Sequence, residues 1–136
     1  MQNKKPMKYG SVKQKVYINA PPEKVYEAYV NPRIHSEFTD AKATGGSKVG
    51  QRMTAWDGFI KGKTVKLKRA KLIVQEWRAN DFPKSYGYSS LKITLRKKGR
   101  GTELTMVHSR VPKENEKDLR SGWQEFYWKP MKKYFK

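Results

Sequence analysis

A chain of 136 residues is long enough for one domain with a core of its own, and its lack of cysteine excludes disulfides, thiolate metal sites and cysteine nucleophiles. Lys and Arg number 31 against 12 Asp and Glu, a formal charge of +19, and no apolar run follows the basic start Met1-Gln2-Asn3-Lys4-Lys5-Pro6. Neither a secretory leader nor a membrane span is therefore expected, and the cytoplasm is the expected compartment. The charge raises affinity for any polyanion. Yet 23 of the basic residues are lysine and only 8 arginine, spread over every segment, whereas base and phosphate readers lean on the arginine fork. A solvated, lysine-rich surface is the reading the composition favours; nucleic acid or another polyanion stands as the alternative partner.

Residues 1–10 read as a flexible basic N-terminus, broken by Pro6 and Gly10, ahead of a single domain over 11–136. From Ser11, Val12, Gln14, Val16 and Ile18 alternate with Lys13, Lys15 and Tyr17, the period of a half-buried strand. Asn19-Ala20-Pro21-Pro22-Glu23 ends that strand and starts a short helix, its apolar side Val25, Tyr26, Ala28 and Tyr29, stopping at Asn31-Pro32. A second short helix is predicted over Ile34 to Phe38, then a brief strand over Thr39 to Thr44. The loop Gly45-Gly46-Ser47-Lys48 is not a phosphate-binding loop, because a strand and not a helix follows it.

Gln51 to Trp56 reads as a strand, Asp57-Gly58 as a hairpin turn, and Phe59 to Lys68 as the returning strand. Lys71 to Arg78, Tyr86 to Lys97 and Thr102 to Arg110 follow as strands, the last two joined at Lys98-Gly99-Arg100-Gly101. From Pro112 the pattern becomes one long helix with an apolar stripe of Leu119, Trp123, Phe126, Tyr127, Met131 and Tyr134. Pro130 removes a backbone hydrogen bond inside it and predicts a kink. Strands in succession joined by tight turns give an α+β domain with an antiparallel sheet, one face covered by the last helix and the other wet and basic.

This order resembles the helix-grip arrangement of the START-like, or Bet v I-like (SRPBCC), superfamily, a curved antiparallel sheet of six to seven strands around a long C-terminal helix. Within it the chain is similar to the activator of heat-shock protein ninety ATPase homologues. Pro22-Glu23-Lys24-Val25-Tyr26, Glu37-Phe38-Thr39-Asp40-Ala41, Trp56-Asp57-Gly58 with Gly62, Glu76-Trp77-Arg78, Thr102-Glu103-Leu104-Thr105-Met106 and Gly122-Trp123 carry the resemblance. It spans Val12 to the C-terminus. It implies regulation of a heat-shock chaperone, and a hydrophobic ligand held between sheet and helix. The eukaryotic activators join such a domain to a separate N-terminal one that supplies much of the chaperone contact. This chain is expected to lack that domain.

The residues themselves offer three candidate sites. His35 and His108 are the only histidines; His108 is in phase with Leu104 and Met106 and points toward the core, while His35, beside Ser36 and Glu37, reads as a surface residue. No positioned partner makes either a general base, so a packed, hydrogen-bonded role is favoured and no enzyme is expected; an enzyme using the cavity with His108 is the further alternative. Two distant histidines predict no metal site, and nothing calls for a cofactor. The second site is an apolar ligand cavity whose wall candidates are Met53, Trp56, Phe59, Trp77, Tyr88, Met106, His108, Trp123 and Tyr127. The same aromatics also serve as plain core. The third is the basic sheet face, Lys13, Lys15, Lys66, Lys68, Lys92 and Arg96, suited to a chaperone or another acidic protein.

Overall fold

The computed structural model describes residues 8–136; of the basic stretch 1–10, residues 1–7 lie outside the described residues. The chain runs β1 (Tyr9–Ile18), α1 (Pro22–Val30), α2 (Pro32–Thr39), β2 (Thr44–Gly45), β3 (Arg52–Ala55), β4 (Ile60–Lys68), β5 (Leu72–Ala79), β6 (Ser89–Lys98) and β7 (Gly101–Pro112). A turn of 3-10 helix (Lys113–Asn115) then leads into α3 (Glu116–Trp123), a π-helical turn (Gln124–Trp128) and α4 (Lys129–Tyr134). The strands form one antiparallel sheet in the order β1-β7-β6-β5-β4-β3-β2. This is the α+β helix-grip arrangement the sequence implied.

Local chemistry explains the element ends. Pro22 stands in the first turn of α1, where its missing N–H has no partner to lose, and Glu23 beside it complements the helix dipole. Asn31 closes α1 and opens α2, its side chain accepting the Arg33 N–H at 3.0 Å. The strand expected over Thr39 to Thr44 is not there: α2 continues to Thr39, Asp40 ends it in the left-handed region at φ 57°, and only Thr44–Gly45 pairs in the sheet. β6 begins at Ser89 rather than Tyr86, because Arg78 donates to the Tyr86 and Pro83 carbonyls and holds 83–86 as a loop.

Register sorts the sheet into two faces. On the inner face Val12, His108, Leu91, Gln75 and Thr64 lie in one cross-strand row, with Met106, Ile93 and Ile73 in the next. Val25, Ala28, Tyr29, Phe38, Trp123, Tyr127, Trp128 and Met131 from the helices complete the core. The pairing is interrupted by one extra residue at Arg110 of β7, opposite Gly10 and Ser11, and by another at Val65 of β4. β1 is tied to α3 by polar contacts: Ser11 N–H donates to Glu116 Oε2 at 2.9 Å, and Gln14 Nε2 donates to the Arg120 carbonyl at 2.8 Å.

Just before Pro130, where a kink was expected, the helix changes its hydrogen-bond register. Lys129 N–H donates to the carbonyl of Gln124, five residues back. Five-residue spacing brings Trp128 to the side of Trp123, and the two indoles stack with centroids 5.3 Å apart and planes at 18°. Trp128 is fully buried and donates its N–H to Gln14 Oε1 at 2.7 Å. Phe126, expected in the buried stripe, is instead 55% exposed.

Candidate functional site

Between the open end of the sheet and α3 lies a cleft of about 410 Å³, lined from β4 and β5 by Ile60, Trp77 and Ala79 and from the helical side by Leu119, Gly122, Trp123, Phe126 and Tyr127. Trp56 and Phe59 from the β3–β4 turn, and Asp81, Asn115 and Asp118 at the other end, complete its walls. The β3–β4 turn is strained. Trp56, Asp57 and Gly58 all have positive φ, at 52°, 58° and 90°. A bulky aromatic in that region persists only where its surroundings hold it. Here Asp57 makes a two-way clamp with Lys42, its N–H donating to the Lys42 carbonyl at 3.0 Å and its carboxylate accepting the Lys42 N–H at 2.9 Å. The clamp sets the Trp56 ring edge-on to Phe126, 5.4 Å between centroids.

Behind the cleft, two histidines are locked neutral. Trp123 Nε1–H donates to His108 Nδ1 at 3.1 Å, which leaves the proton on Nε2, facing Ser89 Oγ at 2.7 Å. Ser89 Oγ passes its own hydrogen to the Trp77 carbonyl at 2.6 Å. Burial lowers the His108 pKa to about 3. Its only basic nitrogen is thus occupied by a tryptophan, and the ring stands behind the lining rather than in it. His35, expected at the surface, is buried. Its Nδ1–H donates to the Tyr29 carbonyl, since a carbonyl only accepts, so Nε2 accepts the Tyr127 hydroxyl, both at 2.9 Å. Burial lowers its pKa to about 4, partly offset by the bond to Tyr29. The same burial raises the Tyr127 phenol well above its ordinary range.

Of the nine cavity candidates, Trp56, Phe59, Trp77, Trp123 and Tyr127 meet in the cleft. Met53 and Met106 are core residues outside it, and His108 lies behind Trp77 and Trp123. Tyr88 lies in the loop before β6, 44% exposed, and supplies no polar contact to the cleft. Sequence reading missed Ile60, Ala79, Asp81, Asn115, Asp118, Leu119, Gly122 and Phe126 as lining. For Leu119 and Phe126, one helical turn from Trp123, and for Gly122 beside it the signal was present; for Asp81 and Asn115 it was not, since the loop after β5 meets the 3-10 turn only in the fold.

Three lining residues carry buried polar atoms with no partner among the described residues: Trp56 Nε1, Trp77 Nε1 and Asn115 Oδ1. Trp56 Nε1 approaches the Tyr127 oxygen closely enough to oppose the rise in that phenol's pKa, but falls outside hydrogen-bond geometry. All six basic candidates, Lys13, Lys15, Lys66, Lys68, Lys92 and Arg96, are exposed on the outer face. Register places Lys13, Val107, Lys92, Val74 and Lys66 in one row across five strands, with Lys15, Thr105, Thr94, Leu72 and Lys68 in the row beside it. Among the described residues no group of three or more His, Asp or Glu is placed to hold a metal, and no helix is long and apolar enough to cross a membrane.

The sequence model for the "Activator of Hsp90 ATPase homolog 1-like protein" family matches residues 19–136. The chain is 30% identical over 114 residues to the "Activator of 90 kDa heat shock protein ATPase homolog 1" of Homo sapiens, a match covering 84% of this chain and 33% of that protein. The chain therefore spans about one third of the length of the curated relatives it matches. An HSP90 activator from Plasmodium falciparum superposes with a TM-score of 0.78 at 21% identity, over 94% of this chain and 95% of that one. The Aha1 dimer from Colwellia psychrerythraea gives 0.76 at 19%, over 90% and 93%. At such identities these two are likenesses of fold.

Proposed function

The chain belongs to the Activator of Hsp90 ATPase homolog 1-like family, and from that premise we propose that it is a START-like domain that binds a small, largely apolar molecule between its sheet and α3. The cleft carries this reading. Its volume of about 410 Å³ falls within the roughly 300–1,000 Å³ of small-molecule sites, and its mostly aromatic and aliphatic walls with a few polar residues match their usual composition. A plain core would have closed this space, since interiors hold few voids larger than water. His108 supports binding over catalysis, because a base whose lone pair is taken by Trp123 has none to offer a substrate. The test is an NMR titration with an apolar panel, lipids and flavonoids included. The indole N–H signals of Trp56, Trp77 and Trp123 are expected to move; still signals across the panel refute the reading.

A second reading, contact with a 90 kDa heat-shock ATPase, is favoured by the family and by the lysine rows of the outer face. Lysines alternating with half-buried valines suit an acidic protein surface, which charge would steer in and apolar contact would retain. Adding the protein to that ATPase is expected to raise its turnover, and a triple variant Lys13→Glu, Lys66→Glu, Lys92→Glu to abolish the rise. Turnover unchanged by the native chain removes this reading.

A further inference from the structure

The outer face of the sheet carries more than lysines. Tyr17 lies in phase with Lys13 and Lys15 on β1 and is nearly half exposed. The hydroxyl end of its ring lies over Gly101 of β7, where any larger side chain would collide with it, so the bare backbone gives the ring a floor. Around it stand Lys15, Arg96 and Lys98, all turned toward the carboxylate of Glu103 at 4.0, 3.1 and 3.6 Å. Their side chains are 61, 76 and 62% exposed against 13% for that of Glu103, so the carboxylate lies beneath and the cations above it. Three positive charges over one negative leave an excess of two beside the ring. Among the described residues the strands carry only one other carboxylate, Glu76, and Lys63 stands opposite it.

We propose that this face binds single-stranded nucleic acid without regard to sequence, a base stacking on Tyr17 and the phosphates running along Lys15, Lys13, Lys98 and Lys92. Successive outward residues of a strand are about 6.5 Å apart, close to one nucleotide step of an extended single strand, so Lys13 and Lys15 can meet consecutive phosphates. A tyrosine ring accepts any base, because every base has a π-face. The scarcity of arginine counts against reading base edges, which needs the fork, and not against tracking phosphates, for which a lysine point charge serves. Lys15 and Lys98 are already drawn into place by Glu103, so less side-chain freedom is lost on contact. The site is independent of the cleft and shares only lysines with the chaperone contact. An acidic protein surface accounts for the charge but not for a ring set among cations.

The full chain is titrated into a fluorescein-labelled oligothymidylate of about 12 nucleotides, within the span of one single-strand site, and binding is read as fluorescence anisotropy. Its duplex with oligoadenylate and a labelled polyglutamate serve as comparisons. The single strand is expected to bind tightest, log Kd rising with log salt at a slope of about 3, as about four phosphate contacts imply. Tyr17→Ala is expected to weaken the single strand about tenfold and Tyr17→Phe to leave it unchanged, since stacking needs the ring and not the hydroxyl. Duplex and polyglutamate are expected to ignore both substitutions. No binding of the single strand at about 0.05 M salt overturns the proposal. So does polyglutamate binding as tightly, the mark of a surface for acidic proteins, or an equal loss for all three probes in Tyr17→Ala, the mark of an altered fold. A Tyr17→Ala variant that holds the single strand as well as the native chain overturns the stacking role.

Discussion

Burial holds His35 and His108 neutral, with pKa values of about 4 and about 3 against 6.5 for a free imidazole. Both are lowered on folding, so the unfolded chain takes up protons first as pH falls below 6.5. The sign is destabilising: stability is intact above pH 6.5 and declines toward the folded pKa values, by about 1.4 kcal/mol per pH unit for each histidine. Urea midpoints measured between pH 7 and 5 are expected to fall, and His108→Gln to flatten the slope; a level profile would contradict the buried neutral pair. Gly122 offers the opposite kind of test. It sits inside a helical run, and a methyl added there meets only the edge of Phe126 at 3.8 Å. Gly122→Ala is therefore expected to raise stability by up to about 1 kcal/mol, seen as a higher melting temperature. At this scale legibility was uneven. The inward aim of His108 followed from its phase with Leu104 and Met106. The burial of His35 did not, because its partner Tyr127 lies 92 residues away and the neighbouring Ser36 and Glu37 suggest water.

Among the elements, strands were legible because β-sheet alternation and turn residues are local signals. β2 and the start of β6 were misplaced, where a left-handed Asp40 and an Arg78 side chain override the local pattern. The π-helical turn was harder. A search at 3.6 residues per turn puts Phe126 in the stripe and leaves Trp128 out, whereas the structure does the reverse. Pro130 gave notice that the helix would be disturbed without saying how. Trp128 joins that turn to β1 through Gln14. Replacing it, as Trp128→Phe, removes volume and strands a half-buried acceptor, Gln14 Oε1. The expected loss is about 1–3 kcal/mol in chemical denaturation, and a loss below about 0.5 kcal/mol would show that the turn is not anchored there.

Taken whole, the molecule places its charge outside and its polar exceptions inside. A net charge of +19 pushes against compaction, and the compensating ion pairs, such as Arg33–Glu37 at 2.8 Å, are mostly exposed, a class worth little each. Repulsion therefore dominates, and the melting temperature is expected to rise as salt goes from about 0.01 to about 0.15 M, the screening length shrinking from about 30 to about 8 Å. A melting temperature that falls instead would give the ion pairs the larger share. Fold class and five of the thirteen cleft residues could be read from the chain. The volume of the cleft could not, because it is a gap between surfaces and no residue type encodes a gap.

One contact bears on how many molecules such a sheet can recruit. β1 is hydrogen-bonded to β7 on one flank, and among the described residues no strand pairs with its other flank, where a strand from a second molecule would ordinarily add. The carboxylate of Glu116 already holds the Ser11 N–H on that flank, and Lys13 and Lys15 set positive charge beside it. Glu116 is thus a stopper against edge-to-edge growth. Glu116→Ala should open that edge and bring on turbidity at concentrations the native chain tolerates; equal clarity would mean the lysines suffice.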